Sequence, residues 1–370
     1  GQTFGETATE KAEAIDGYTV DAETKNVKIT TGKNEITFYY TKRADLAYTV
    51  NYYEEGTTTK LHDSKKVENQ TFGANVTEEA VTIPGYNLAG ETSQTITIGT
   101  GTNEINFYYT KKTTLSYTVK YLEAGSDEEL ATSKTVENQT FGTEVTEEAI
   151  AINGYNVTGE STKIITIADE SNEIVFYYTK KNDLSYVVNY LEKDTNQKLA
   201  DAKTETGKTY KDKVTEKAIA IDGYDLVGEA TQNLTISHDN GKNVINFYYT
   251  KRTDLSYTVK YLEKETNKKL ADEKTVTGQT FGVTLSETAL EIDGYTVDAP
   301  TKDVKITTGK NEITFYYTKR ADLAYTVKYL EKDTDTVLAA EKTVTGQTFG
   351  ETATEKAEAI DGYTVDAETK

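Results

Sequence analysis

The sequence predicts an α+β, β-rich fold: a tandem array of small modules, each in the order β-β-α-β-β-β, arranged end to end as an elongated rod. The first observation is a recurring pair of runs. An apolar run closing on Phe107-Tyr108-Tyr109 is followed at once by the alternating run Leu115 to Glu123, and Phe38, Phe176, Phe247 and Phe315 precede Leu46, Leu184, Leu255 and Leu323 in the same way. The second is spacing: these leucines lie 69, 69, 71 and 68 residues apart, a fixed period that marks repeats. The third is composition. With 28 Tyr and no Cys, Met or Trp, the chain is rich in residues suited to a pleated, half-buried surface.

The charge of -20 disfavours nucleic acid and anionic membrane as partners held by bulk electrostatics. The lack of Cys excludes disulfides, thiolate catalysis and Cys-ligated zinc. No apolar run is long enough to span a bilayer, and the N-terminus carries no signal-peptide pattern.

Two further markers keep the same period: Phe4, Phe72, Phe141, Tyr210, Phe281 and Phe349, and the Gly-Tyr pairs at Gly17, Gly85, Gly154, Gly223, Gly294 and Gly362. They divide the chain into complete repeats at 46–114, 115–183, 184–254 and 255–322, with the C-terminal part of a repeat at 1–45 and the N-terminal part of another at 323–370. Residues 1–25 are identical to residues 346–370. The segment reads as a window on a longer array, or as a chain whose broken repeat is completed by its neighbour.

Residues 115–183 serve as the type repeat. Leu115, Tyr117, Val119 and Tyr121 alternate with Ser116, Thr118 and Lys120, the period-two pattern of a strand with one apolar face. Glu123 to Glu129 reads as a hairpin turn, and Leu130 to Val136 as the second strand. Thr146-Glu147, like Thr9-Glu10, Thr77-Glu78, Thr215-Glu216, Ser286-Glu287 and Thr354-Glu355, pairs a hydroxyl N-cap with a first-turn carboxylate and predicts a short helix, stopped by Gly154-Tyr155. Strands near Tyr155–Val157 and Lys163–Ile167 follow, then the run Asn172–Thr179. That run is apolar on both faces, as a central strand is. The simplest packing is a mixed sheet crossed by a helix, with first and last strands adjacent and parallel: the ubiquitin-like β-grasp. The two ends of such a unit lie at opposite poles. Connections such as Lys180 to Asp183 are too short for free coil, so each repeat should advance roughly 35–50 Å.

Tyr117-Thr-Val-Lys-Tyr121, Val136-Glu-Asn-Gln-Thr-Phe-Gly142, Gly154-Tyr155 and Phe176-Tyr-Tyr178 together resemble the MucBP repeat, the mucin-binding-protein module of Gram-positive surface adhesins. The resemblance covers essentially the whole chain; residues 184–254 depart most, with Gly207-Lys-Thr-Tyr-Lys211 in place of Gln-Thr-Phe-Gly. It implies β-grasp modules in an extracellular, wall-anchored protein, arrayed as a stalk that displays a distal adhesive domain. Two alternatives stand beside the stalk: an adhesin whose repeats bind mucin or other glycoprotein glycans many times over, and a fibre in which copies complete one another by strand exchange.

A site intrinsic to the repeat should recur in most copies. His62 and His238 hold non-equivalent positions, no nucleophile–His pattern recurs, and the acidic loops share no carboxylate spacing. No enzyme, cofactor or metal site is therefore expected. Tyr39, Tyr108, Tyr177, Tyr248 and Tyr316 lie on the far face of the closing strand from Phe176 and its equivalents. They are candidate sugar-stacking platforms, or core beneath a covering element. A second recurrent set is Lys65, Lys134, Lys203 and Lys274 with Asn103, Asn172, Asn243 and Asn311 and with Glu54, Glu123, Glu192 and Glu263. It has the residue types of a carboxylate-assisted Lys–Asn isopeptide bond, and equally those of solvated charges around a turn-capping Asn.

Overall fold

The computed structural model describes residues 1–370 and falls into two compact units, 1–181 and 182–370. In the type repeat the strands are β1 (Leu115–Glu123), β2 (Glu129–Gln139), β3 (Glu144–Glu148), β4 (Tyr155–Thr158), β5 (Thr162–Thr166) and β6 (Asn172–Lys180). β1 and β6 are parallel neighbours at the centre of a four-stranded sheet of order β2-β1-β6-β4, while β3 and β5 form a separate antiparallel ribbon. The same arrangement recurs in residues 46–114, 184–254 and 255–322.

The expected adjacency of first and last strands is present; the expected helix is not. The only helical turn in the chain is the 3₁₀ turn Asn240–Lys242. Where a Thr-Glu N-cap predicts helix, the backbone is strand β3, and its equivalents Asn75–Glu79, Lys213–Lys217 and Thr284–Thr288 are strands too. The reason lies in the side chains either side of the cap. Val145 and Glu147 point inward while Thr146 and Glu148 face water, a period-two alternation that a helix cannot satisfy. The repeat is thus six strands, with a ribbon in the place expected for a helix.

The core lies between sheet and ribbon. Tyr117, Val119 and Tyr121 of β1 face it together with Ile174, Phe176 and Tyr178 of β6, all buried. In residues 46–114, Val76 and Ile96 of the ribbon close it from the other side. Tyr121 stacks on Phe176 at 6.1 Å. The Tyr178 hydroxyl donates to the Ile150 carbonyl at 2.8 Å, so a large ring is buried with its polar end satisfied. β2 carries a bulge whose residue has positive φ: Asn69 and Asn138 in two repeats, Gly207 and Gly278 in the others. These are the residue types that tolerate the left-handed region.

Candidate functional site

The recurrent lysine has a definite partner. Lys65 Nζ lies 2.8 Å from Glu78, and the same carboxylate accepts the Tyr48 hydroxyl at 2.5 Å. Tyr117–Glu147–Lys134, Tyr186–Glu216–Lys203 and Tyr257–Glu287–Lys274 repeat the cluster. Each joins β1, β2 and β3, tying the ribbon to the sheet through a carboxylate almost closed off from water (12 % exposed at Glu78). Lys65 hydrogen bonding holds the Glu78 carboxyl below its ordinary range, helped by Tyr48. Tyr48 is pushed up to about 12, first by its bond to Glu78 and then by burial.

A carboxyl depressed in the folded state adds stability above its unfolded pKa, about 4.3, and loses it as pH falls through the lower folded value. Acid should therefore release β3 below about pH 4. Urea midpoints at pH 7 and pH 3 check this: Glu78→Gln, Glu147→Gln, Glu216→Gln and Glu287→Gln combined should flatten the difference. An unchanged acid dependence would assign it to other carboxylates.

The asparagines of the candidate isopeptide set are occupied elsewhere. Asn103 Oδ1 accepts the Gly99 amide at 2.8 Å, and its Nδ2 donates to the Gly99 and Ala47 carbonyls at 3.0 and 3.1 Å. Asn172 and Asn311 hold the equivalent loops against Ser116 and Ser256 in the same way, and Asn243 brackets Ser237. Glu54, Glu123 and Glu192, ending β1 and its equivalents, face Lys111, Lys180 and Lys251 at the ends of the neighbouring parallel strands. Glu263 instead takes Thr266 Oγ1 and the Tyr295 hydroxyl. The structure thus does not bring lysine and asparagine together, and the expected intact mass is that of the unmodified sequence. A deficit of one ammonia per repeat would reverse that expectation.

Tyr108, Tyr177, Tyr248 and Tyr316 lie on the outer face of their four-stranded sheets, and Tyr39 just precedes the short strand Tyr40–Lys42. Tyr39, Tyr108 and Tyr177 are exposed (68, 40 and 38 %), and Tyr248 and Tyr316 half-buried. Tyr177 borders a shallow groove of about 370 Å³ with Lys163, Ile164 and Val175. Tyr108 packs at 6.2 Å against Tyr53.

The most regular feature joins one repeat to the next. Within 1–181, the Phe72 ring lies on Gly17, and Phe141 on Gly85; within 182–370, Phe281 lies on Gly223 and Phe349 on Gly294. A Cβ on any of these glycines would sit 2.4 Å from the ring, so only glycine permits the contact. The adjoining Tyr86 meets Phe141 edge-on at 5.5 Å. The backbone completes the joint: Lys112 N–H donates to the Gly85 carbonyl, and Phe141 N–H to the Lys112 carbonyl, both at 2.9 Å. Arg43, Arg252 and Arg320 relay the same two bonds at the other three. Side chains differ from joint to joint. Lys112 Nζ pairs with Asp169 at 2.6 Å, whereas Thr100 and Thr308 hydroxyls donate to Asp16 and Asp222 at 2.7 Å.

Comparison with known proteins follows this repeat. The model of the family described as MucBP domain matches residues 1–41, 49–110, 117–179, 187–250, 257–318 and 326–370. Internalin J of Listeria monocytogenes serotype 4b (strain F2365) is 29% identical over 328 residues, covering 85% of this chain and 35% of that protein. Internalin I of the same strain is 30% identical over 186 residues, 49% of this chain and 9% of that protein. The chain therefore spans about a third of the length of the first of these relatives. Among solved structures, the Bacillus anthracis TIE protein is 14% identical with a TM-score of 0.32, covering 84% of this chain and 76% of that one. A type 2 repeat of the mucus binding protein MUB from Lactobacillus reuteri is 12% identical with a TM-score of 0.13, covering 55% and 99%.

Proposed function

Since this chain belongs to the MucBP domain family, we propose that it is a structural stalk segment of a cell-wall-attached, extracellular protein of a Gram-positive bacterium, carrying a distal adhesive domain and having no catalytic role. Its working units are the repeats 46–114, 115–183, 184–254 and 255–322, read as β-grasp modules in which a ribbon replaces the helix. The observation that carries this reading is the joint. A spacer must fix each unit against the next, and here a ring, a glycine and two relayed backbone hydrogen bonds do so at four places. The net charge of -20 keeps neighbouring stalks soluble and apart.

The test is a Gly-Ser insertion between Lys112 and Thr113, compared with the parent chain by small-angle scattering. The expected result is a shorter maximum dimension with each repeat still folded. Unchanged dimensions, or collapse of repeat stability, would remove the joint from its proposed role. A multivalent adhesin is the second reading, favoured by the outward exposure of Tyr39, Tyr108 and Tyr177.

A further inference from the structure

The joints come in two kinds, and three positions that change together carry the difference. The first is the residue before Gly-Tyr, at the pole of the leading repeat: Asp16, Pro84 and Asp222. The second lies two residues after the linker cation: Asp45 after Arg43, Thr114 after Lys112, Asp254 after Arg252. The third belongs to the following repeat, in the loop between β5 and β6 and its equivalents, three residues before the capping asparagine: Thr100, Asp169 and Thr308. Joint by joint, the sets are Asp-Asp-Thr, Pro-Thr-Asp and Asp-Asp-Thr.

In the first kind the cation closes on its own linker. Arg43 holds Asp45 through two bonds of 3.0 Å, and Arg252 holds Asp254 at 3.0 and 2.8 Å. The carboxylate at the pole then takes a neutral donor from the next repeat, Thr100 to Asp16 and Thr308 to Asp222, both at 2.7 Å. In the second kind the linker has Thr114 in place of the carboxylate, and Lys112 Nζ reaches across to both oxygens of Asp169, at 2.6 and 2.8 Å. Lys112 and then the Gly85 amide hold the Asp169 carboxyl below its ordinary range. Pro84 offers no charge to the incoming Asp169. The turn accepts the exchange: Ile83 takes the Tyr86 amide at 3.2 Å around a left-handed Gly85, as Ile15 and Ile221 take those of Tyr18 and Tyr224, and the second place of such a turn is open to proline and to other residues.

A mixed joint would be wrongly charged. A loop carboxylate set against Asp222 would gather three carboxylates around one guanidinium, since Arg252 already holds Asp254 and lies in the field of Asp222; like charges at hydrogen-bonding range repel. A loop hydroxyl set against Pro84 would take the carboxylate away from Lys112 and meet none itself.

We propose that the facing poles of successive repeats are matched interaction surfaces: the repeat carrying Pro84 fits a follower that presents a loop carboxylate, and those carrying Asp16 or Asp222 fit a follower that presents a loop hydroxyl. The repeats are then not interchangeable, and their order is written into the joints. Matching of this kind rests on the joint proposed above as the device that fixes each repeat against the next, and the experiment below separates the two.

The test is amide hydrogen exchange on the full chain, read at Phe281 and Phe141, whose amides donate across the two joints to Arg252 and Lys112. Thr308→Asp should make Phe281 exchange about tenfold or more faster. Thr308→Ala, which removes the hydroxyl without adding charge, should have a smaller effect. Adding Asp222→Asn to Thr308→Asp should restore most of the protection, with donor and acceptor exchanged; Asn153 already stands at that place in residues 115–183. Asp169→Thr should loosen Phe141, and adding Pro84→Asp should rescue it by rebuilding the pair that Thr100 makes with Asp16. The amides of Leu115–Glu123 and Leu255–Glu263 should stay protected throughout, because these residue types, alanine aside, already occupy the same positions in other repeats. Thr308→Asp no worse than Thr308→Ala, failure of either second substitution to rescue, or loss of protection inside those strands would overturn the matching and leave the joint standing. Unprotected Phe141 and Phe281 amides in the parent chain would remove the joint itself.

Discussion

Phe176→Ala is expected to unfold one repeat and leave its neighbours standing. Phe176 is fully buried, stacked on Tyr121, in the central strand of its sheet. Removing a core phenylalanine costs about 3–5 kcal/mol, from lost burial and the cavity left behind. A unit of 69 residues has a total stability of roughly 3–10 kcal/mol, so the loss is comparable to the whole. The cores of adjacent repeats are separate clusters, and in such arrays stability is a sum of unit and nearest-neighbour contributions. Hydrogen exchange should show the β1 and β6 amides of residues 115–183 losing protection while those of Leu46–Glu54 and Leu255–Glu263 keep theirs. Loss of protection along the whole chain would mean that the repeats fold as one body and that the proposed boundaries are wrong.

Gly85→Ala should break a joint without breaking a repeat. Gly85 has φ +81°, and its added Cβ would sit 2.5 Å or closer to the Phe141 ring. The left-handed backbone alone costs an ordinary residue about 1–2 kcal/mol. Pushing the ring off its seat forfeits up to about 1.5–3 kcal/mol of burial as well. Gly142→Ala is the matched control, with φ +77° but open space around the new Cβ, so it carries the backbone cost alone. The Phe141 amide, which donates across the joint to Lys112, should exchange at least about tenfold faster in Gly85→Ala than in the control, a difference of about 1.4 kcal/mol. Equal rates in the two variants would show that the ring contact contributes nothing to holding the joint.

The sheet was legible because its signal is local. Leu115 to Tyr121 alternates, Asn172 to Thr179 is apolar on both faces, and the alternation and the inward Ile-x-Phe-x-Tyr face recur in every complete repeat, although Asn106, Asn246 and Thr314 replace Val175 on the outer face. The ribbon was misread because what decides it is not local. Thr146-Glu147 has a helix N-cap on its own; Glu147 becomes an inward strand residue because Tyr117, 30 residues away, and Lys134, 13 away, donate hydrogen bonds to its carboxylate. That cluster left a trace in the sequence that a different question would have found. Each Lys–Glu pair (65 and 78, 134 and 147, 203 and 216, 274 and 287) keeps the same spacing of 13. The lysine's recurrence was real, but its partner was that glutamate and not the asparagine. The joint was visible only as two unconnected periodic marks, Gly-Tyr and Thr-Phe-Gly, because their contact runs between repeats and no pattern within one repeat can express it.

The parallel pairing of β1 with β6 has a consequence under tension. β1 opens the repeat and β6 closes it, and they are paired from Tyr117–Asn172 to Glu123–Tyr178. A pull on the two ends of the repeat drags these strands past each other in shear, loading the rungs of that ladder together instead of peeling them apart one at a time. Forced rupture is governed by the barrier to unfolding and not by equilibrium stability. A repeat of modest thermal stability can therefore withstand a sudden load that would unzip a hairpin of equal free energy.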